Sequence, residues 1–86
     1  MYKYYLSKQV EKFLAKQEKK FLETFLEKAS ELSISPYKNT LDIKALKWQR
    51  SKYRLRISKY RFLYEISDEK ISIYFSEAGS RWDIYK

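Results

Sequence analysis

Apolar and polar residues alternate most regularly between Tyr53 and Ile66. Tyr53, Leu55 and Ile57 alternate with Arg54 and Arg56, and Tyr60, Phe62, Tyr64 and Ile66 alternate with Arg61, Leu63 and Glu65. A period of two marks strands with one buried face. Ser58-Lys59 sits where a two-residue hairpin loop falls, although such loops usually hold Gly or Asn, so the turn type stays open. With that loop Ile57 pairs with Tyr60, Arg56 with Arg61, Leu55 with Phe62 and Arg54 with Leu63, and every apolar partner falls on one face. The other face sets Arg56 across from Arg61. At about 5 Å two such charges repel by roughly 3 kcal/mol at an effective dielectric near 20, and by under about 1 kcal/mol in bulk water. The pair therefore needs solvent or an anion.

Elsewhere the pattern predicts a short first strand in residues 1–6, where Tyr2, Tyr4, Tyr5 and Leu6 fall, with Ser7 as a helix N-cap. Val10, Phe13, Leu14, Phe21, Leu22, Phe25, Leu26, Ala29 and Leu32 then recur at helical spacing. The polar patch from Ala15 to Lys20 is compatible with one long helix or with two helices meeting near Gln17. A single helix of about 25 residues would span about 38 Å, long for a domain of this size, so a helical hairpin is expected. Pro36 ends the helix. Residues 37–46 read as a polar connection anchored by Leu41, Ile43 and Leu46, with Trp48 at the core edge. After a turn at Ser67-Asp68-Glu69-Lys70, the residues Ile71, Ile73 and Phe75 predict a last strand. A four-residue loop would pair Ile66 with Ile71, Tyr64 with Ile73 and Phe62 with Phe75, and lay Arg61 beside Ser76. The one glycine, Gly79, fits a bend or bulge leaving that strand. The expected order is β-α-α-β-β-β: an α+β fold, with a helical hairpin on one face of an antiparallel sheet.

Size and composition narrow the chemistry. The 86 residues suit one domain, spanning 1–86, with a small core that the 16 aromatic residues (2 Trp, 9 Tyr, 5 Phe) enlarge. Without cysteine or histidine there is no disulfide, no thiolate nucleophile, no His/Cys zinc site and no histidine acid or base. No metal or other cofactor is expected. No apolar run reaches membrane-span length and the N-terminus lacks a signal-peptide pattern, so a soluble, cytoplasmic protein is the expectation. The net charge of +8 is localised: Lys44, Lys47, Arg50, Lys52, Arg54, Arg56, Lys59 and Arg61 fall in one stretch without an acidic residue, and the remainder sums to zero. Such a field suits a polyanion or an acidic protein partner. The strand pattern sets Arg54, Arg56, Arg61 and Ser76 on the face away from the helices, with Arg81 delivered there after the bend.

These residues carry a resemblance. Tyr53-Arg54-Leu55-Arg56-Ile57 and Tyr60-Arg61-Phe62-Leu63-Tyr64-Glu65-Ile66, with Ser35-Pro36 before them and Arg81 and Tyr85 after, resemble the central hairpin and flanks of the RelE/ParE toxin superfamily, the toxic halves of type II toxin–antitoxin pairs. The likeness covers nearly the whole chain. Having Arg61, Arg81 and Tyr85 together favours the RelE-like branch, whose active members are ribosome-dependent endoribonucleases that cut mRNA in the A site. The ParE-like alternative is a non-nucleolytic inhibitor of DNA gyrase, and a further alternative is an inactive member that binds an antitoxin. Where a glycine is common in the hairpin turn, this chain has Ser58.

What the resemblance implies is a metal-independent site. Carried over by position, Arg56, Arg61, Arg81 and Tyr85 are its catalytic group, and Arg54, Lys52, Lys47 and Arg50 contribute to RNA binding. Attack of a ribose 2′-hydroxyl on the adjacent phosphate builds negative charge that guanidinium groups match in bidentate fashion. Arg61 and Arg81 are the expected phosphate stabilisers, and Tyr85 is expected to stack on a base. Arginine is a poor proton acceptor, so Glu65, on the same face by alternation, is the candidate base, with the alternative role of charge partner to a neighbouring cation. The implied partners are a cognate antitoxin, the ribosome and mRNA, with no membrane.

Overall fold

The computed structural model describes residues 1–46 and 51–80. Its elements are β1 (Lys3–Leu6), α1 (Lys8–Ala15), α2 (Lys19–Ile34), β2 (Ile43–Ala45), β3 (Lys52–Ile57), β4 (Tyr60–Ser67) and β5 (Ser72–Ser80). The α+β class holds, with five strands in the order β1-β5-β4-β3-β2. Two features of the sheet differ from expectation. The connection after α2 contains β2, which pairs antiparallel with β3, and β1 runs parallel to β5, so the sheet is mixed rather than antiparallel throughout. Direction between β1 and β5 is free of any hairpin constraint, since most of the chain separates them.

The helical hairpin forms as expected. Ser7 is extended and its Oγ accepts from the Val10 N–H, which caps α1. The helix stops at Lys16, whose N–H turns back to the Phe13 and Leu14 carbonyls, and the Gln17 amide side chain donates to the Phe13 carbonyl. Glu18 is extended and starts α2. The polar patch thus breaks the stripe by supplying local hydrogen-bond partners where no apolar residue holds the chain to the core.

The core lies between the helices and one sheet face. Phe62 is fully buried at its centre, ringed by Phe13, Phe21, Phe25 and Phe75 at centroid distances of 5.6, 6.4, 4.8 and 6.5 Å. Leu41 and Ile43 pack against this core as expected. The side chain of Tyr64 is also buried, stacked on Tyr53 at 5.5 Å. Burial pushes the Tyr64 phenol well above its ordinary pKa, and its hydroxyl has no hydrogen-bond partner among the described residues.

The central hairpin has the predicted register, including Arg56 opposite Arg61. Its turn places Ser58 at φ 58°. The second hairpin is shifted. Ile66 pairs with Ile73, Tyr64 with Phe75 and Phe62 with Ala78, not with Ile71, Ile73 and Phe75. The loop has four residues but spans Asp68–Ile71, because Ile71 turns in the left-handed region at φ 49° and leaves its side chain exposed. A shift of two positions preserves the faces. An irregularity between Leu63 and Tyr64 then leaves Ser76 as an extra residue of β5, so the alternation inverts and Arg61 faces Gly79, not Ser76. Gly79 continues the strand, and no glycine has positive φ.

Side chains finish what β1 leaves open. Past Leu6, the Ser7 N–H donates to the Phe75 carbonyl and the Ser7 hydroxyl to the Ser76 carbonyl. The Gln9 amide donates to the Ala78 carbonyl and accepts from the Ala78 N–H, each at 2.7 Å. At the other end of β1, the Ser33 hydroxyl donates to the Tyr2 carbonyl, and the Tyr2 N–H donates to the Ser33 carbonyl.

Candidate nucleic-acid interface

The face away from the helices is a set of rows across the strands. One row runs Lys44, Arg54, Leu63, Glu77, and the next runs Arg56, Arg61, Gly79. A third runs Lys52, Glu65, Tyr74, Tyr5. Lys44, Arg54, Arg56 and Arg61 therefore gather at the end of the sheet nearest the β3–β4 turn. Gly79 beside Arg61 has no side chain to fill the space a guanidinium needs, and the Arg61 Nε is out of contact with solvent.

The opposed Arg56 and Arg61 have a local counter-charge. Arg56 Nε lies 2.8 Å from Asp42 Oδ2, both side chains about half exposed (53% and 50%). The Arg56 N–H also donates to the Asp42 carbonyl. An exposed pair of this kind adds little stability, about 0–1 kcal/mol. Its effect is to hold one edge of the guanidinium and to lower the repulsion between the two arginines. Asp42 precedes β2, a strand of three residues that is too short to show a period, so no sequence pattern marks it. Glu77 is a second carboxylate on this face, diagonal to Arg61, and the bulge puts it there.

Not every predicted residue joins the group. Lys52 stands at the far end of β3, opposite Glu65. Glu65 is four residues from Arg61 along β4, about 13 Å at strand spacing. The alternative role, charge partner to a cation, fits its place opposite Lys52. Lys59 lies in the turn, its ammonium 5.5 Å from the centre of the Tyr60 ring. Lys47, Trp48, Arg50, Arg81 and Tyr85 lie outside the described residues.

Asp68, in the predicted turn, is a joint. It accepts hydrogen bonds from the hydroxyls of Tyr2 at 2.7 Å and Tyr37 at 2.8 Å. These bonds hold its carboxyl below the ordinary carboxylate range. The Tyr2 phenol is raised chiefly by its bond to Asp68, and that of Tyr37 by loss of hydration and then by the same bond.

No protein-family model matches the sequence, and no curated protein sequence matches it significantly. Solved structures do. The archaeal RelE–RelB complex from Pyrococcus horikoshii OT3 superposes with a TM-score of 0.82 at 26% identity, covering 95% of this chain and 97% of that one. The RelB–RelE antitoxin–toxin complex from Methanococcus jannaschii gives 0.74 at 26% identity, covering 93% of each chain. The isolated E. coli RelE toxin shares the fold, with a TM-score of 0.78 at 22% identity over 99% of this chain and 92% of that one. The class defined here is a small α+β toxin fold with a basic open sheet face. Its fold is that of the RelE-like toxin superfamily.

Proposed function

We propose that this chain is the toxin of a type II toxin–antitoxin pair and a ribosome-dependent endoribonuclease that cuts mRNA in the A site. The observation that carries the reading is the gathering of Arg54, Arg56 and Arg61 from two strands, with Lys44 from a third, on the open face of a RelE-like sheet. The step is attack of a ribose 2′-oxygen on the adjacent phosphorus. A P–O bond forms to the 2′-oxygen, the bond to the 5′-oxygen breaks, and the products are a 2′,3′-cyclic phosphate and a 5′-hydroxyl. The charge that develops sits on the phosphoryl oxygens and the leaving oxygen. Permanently charged, bidentate guanidinium groups stabilise it, and no protein rearrangement is needed at the moment of reaction. Arg61 is the principal phosphate stabiliser and Arg56, oriented by Asp42, its neighbour. The resemblance assigns Arg81 the role of a second phosphate contact and Tyr85 that of a base-stacking ring. The 2′-hydroxyl proton passes to water, since arginine is a poor proton acceptor, and the departing 5′-oxygen takes a proton from water to become the 5′-hydroxyl.

A cognate antitoxin is the second part of the proposal. The RelE chains of P. horikoshii and M. jannaschii were solved with RelB. Here an acidic segment laid over the arginine rows would block the face. The test uses ribosomes programmed with a defined codon in the A site. The purified chain cuts that mRNA within the codon and leaves free mRNA intact. Intact ribosomal mRNA accompanied by inhibition of DNA gyrase would contradict the assignment.

A further inference from the structure

The third row of the open face ends in two aromatic residues. Tyr5 and Tyr74 are direct partners across the β1/β5 pair. Their neighbours in sequence face the core: Tyr4 packs edge-on against Phe75 at 6.2 Å, and Ile73 and Phe75 are fully buried. Tyr5 and Tyr74 therefore point the other way, and they are 53% and 40% exposed. With Glu65, Ser72 and Lys70 they line one open depression of about 790 Å³. Each ring presents about half of its surface to solvent.

The charges around this depression differ from those at the arginine end. Glu65 stands between Lys52 and Tyr74, and Asp68, Glu69 and Lys70 are among the lining residues, so carboxylates outnumber cations here. Carboxylates repel a phosphodiester, but they accept hydrogen bonds from the amino and imino groups of a base edge. The two ends of the face are thus complementary to the two sides of a single-stranded RNA: cations for backbone, rings and a carboxylate for bases.

We infer that Tyr5 and Tyr74 form a base-stacking subsite for single-stranded RNA, with Glu65 as the acceptor that reads the edge of the stacked base. The inference rests on the proposed RNA-cleaving function. Glu65 lies about 13 Å along β4 from Arg61, so the stacked base belongs to a nucleotide away from the cleaved bond. Glu65 is a specificity residue here rather than a proton acceptor. Stacking on aromatic rings tolerates any base, and a carboxylate favours a base with donors on its Watson–Crick edge over one dominated by acceptors.

The test measures binding, separately from cleavage. A fluorescein-labelled single-stranded RNA heptamer is titrated at low salt with the wild-type chain, Tyr5→Ala/Tyr74→Ala, Tyr5→Phe/Tyr74→Phe and Glu65→Gln. The double alanine variant is expected to bind roughly tenfold or more weakly, while the phenylalanine variant, which keeps both rings, binds like wild type. Glu65→Gln is expected to change the order of affinity among heptamers with A, C, G or U at the central position. Equal binding by the wild-type and double alanine chains overturns the subsite, and so does absence of RNA binding by the wild type. Loss of binding to a protein partner with unchanged RNA affinity assigns the tyrosines to a protein surface and also overturns it. Failure of the cleavage reading registers on a different measurement: heptamer binding through the tyrosines, with ribosomal mRNA left whole.

Discussion

Single residues carry unequal stresses in this fold. Ser58 and Ile71 both sit at positive φ, 58° and 49°, where a side chain is disfavoured and a β-branched one more so. Both face solvent, so neither contributes core contacts in return. Ser58→Gly is expected to raise stability by about 1 kcal/mol, or about 4–8 °C in Tm, and Ile71→Gly by at least as much. Thermal melting checks both, and unchanged melting would mean that the turns relax without strain. The Asp68 joint makes a prediction about pH. A carboxylate whose pKa is depressed in the folded state stabilises the fold above its unfolded value of 3.8 and loses that contribution as pH falls through the folded value. The phenols of Tyr2 and Tyr37, raised above 10.0, contribute below that value and lose their contribution as pH rises through their folded values. The Tm difference between wild type and Asp68→Ala should therefore be level from about pH 5 to about pH 9 and narrow on either side. A difference independent of pH down to strong acid would show that the carboxylate is not the acceptor.

At the scale of elements, α1 does more than cover the core. Its first turn supplies the hydrogen bonds that β1 is too short to give β5, with the Gln9 amide standing in for a strand residue opposite Ala78. Gln9→Ala leaves one backbone donor and one acceptor at a sheet edge without protein partners, at an expected cost of about 1–2 kcal/mol. Denaturant unfolding measures the cost, and hydrogen exchange should show the Ala78 amide losing protection ahead of its neighbours. The β3–β4 register was legible because both strands alternate cleanly and one turn length satisfies every apolar pair. The helical hairpin was legible because the stripe fails over a polar patch. The β4–β5 register was not, since an apolar residue at position 71 looks like strand whether or not its side chain is buried. The bulge left a signal that alternation alone does not use. Continuing Ile73 and Phe75 by twos puts Glu77 in the core, where an unpaired carboxylate does not belong. The parallel placement of β1 depends on contacts far apart in sequence, and β2 is too short to carry a period.

At the scale of the molecule, the helices and the aromatic core hold one sheet face rigid so that the other can remain open and charged. Grouping Arg54, Arg56 and Arg61 was readable from alternation. The counter-charge at Asp42, the space at Gly79 and the separation of Glu65 came from pairing between strands. Arg61 is the residue on which the proposed cleavage depends most directly. On ribosomes carrying a defined A-site codon, the single-turnover rate of mRNA cleavage is compared between the wild-type chain and Arg61→Ala, with thermal melting showing both folded. Loss of a preorganised donor to the phosphoryl oxygens predicts a fall of about 100- to 1,000-fold; cleavage by folded Arg61→Ala at the wild-type rate would contradict the account.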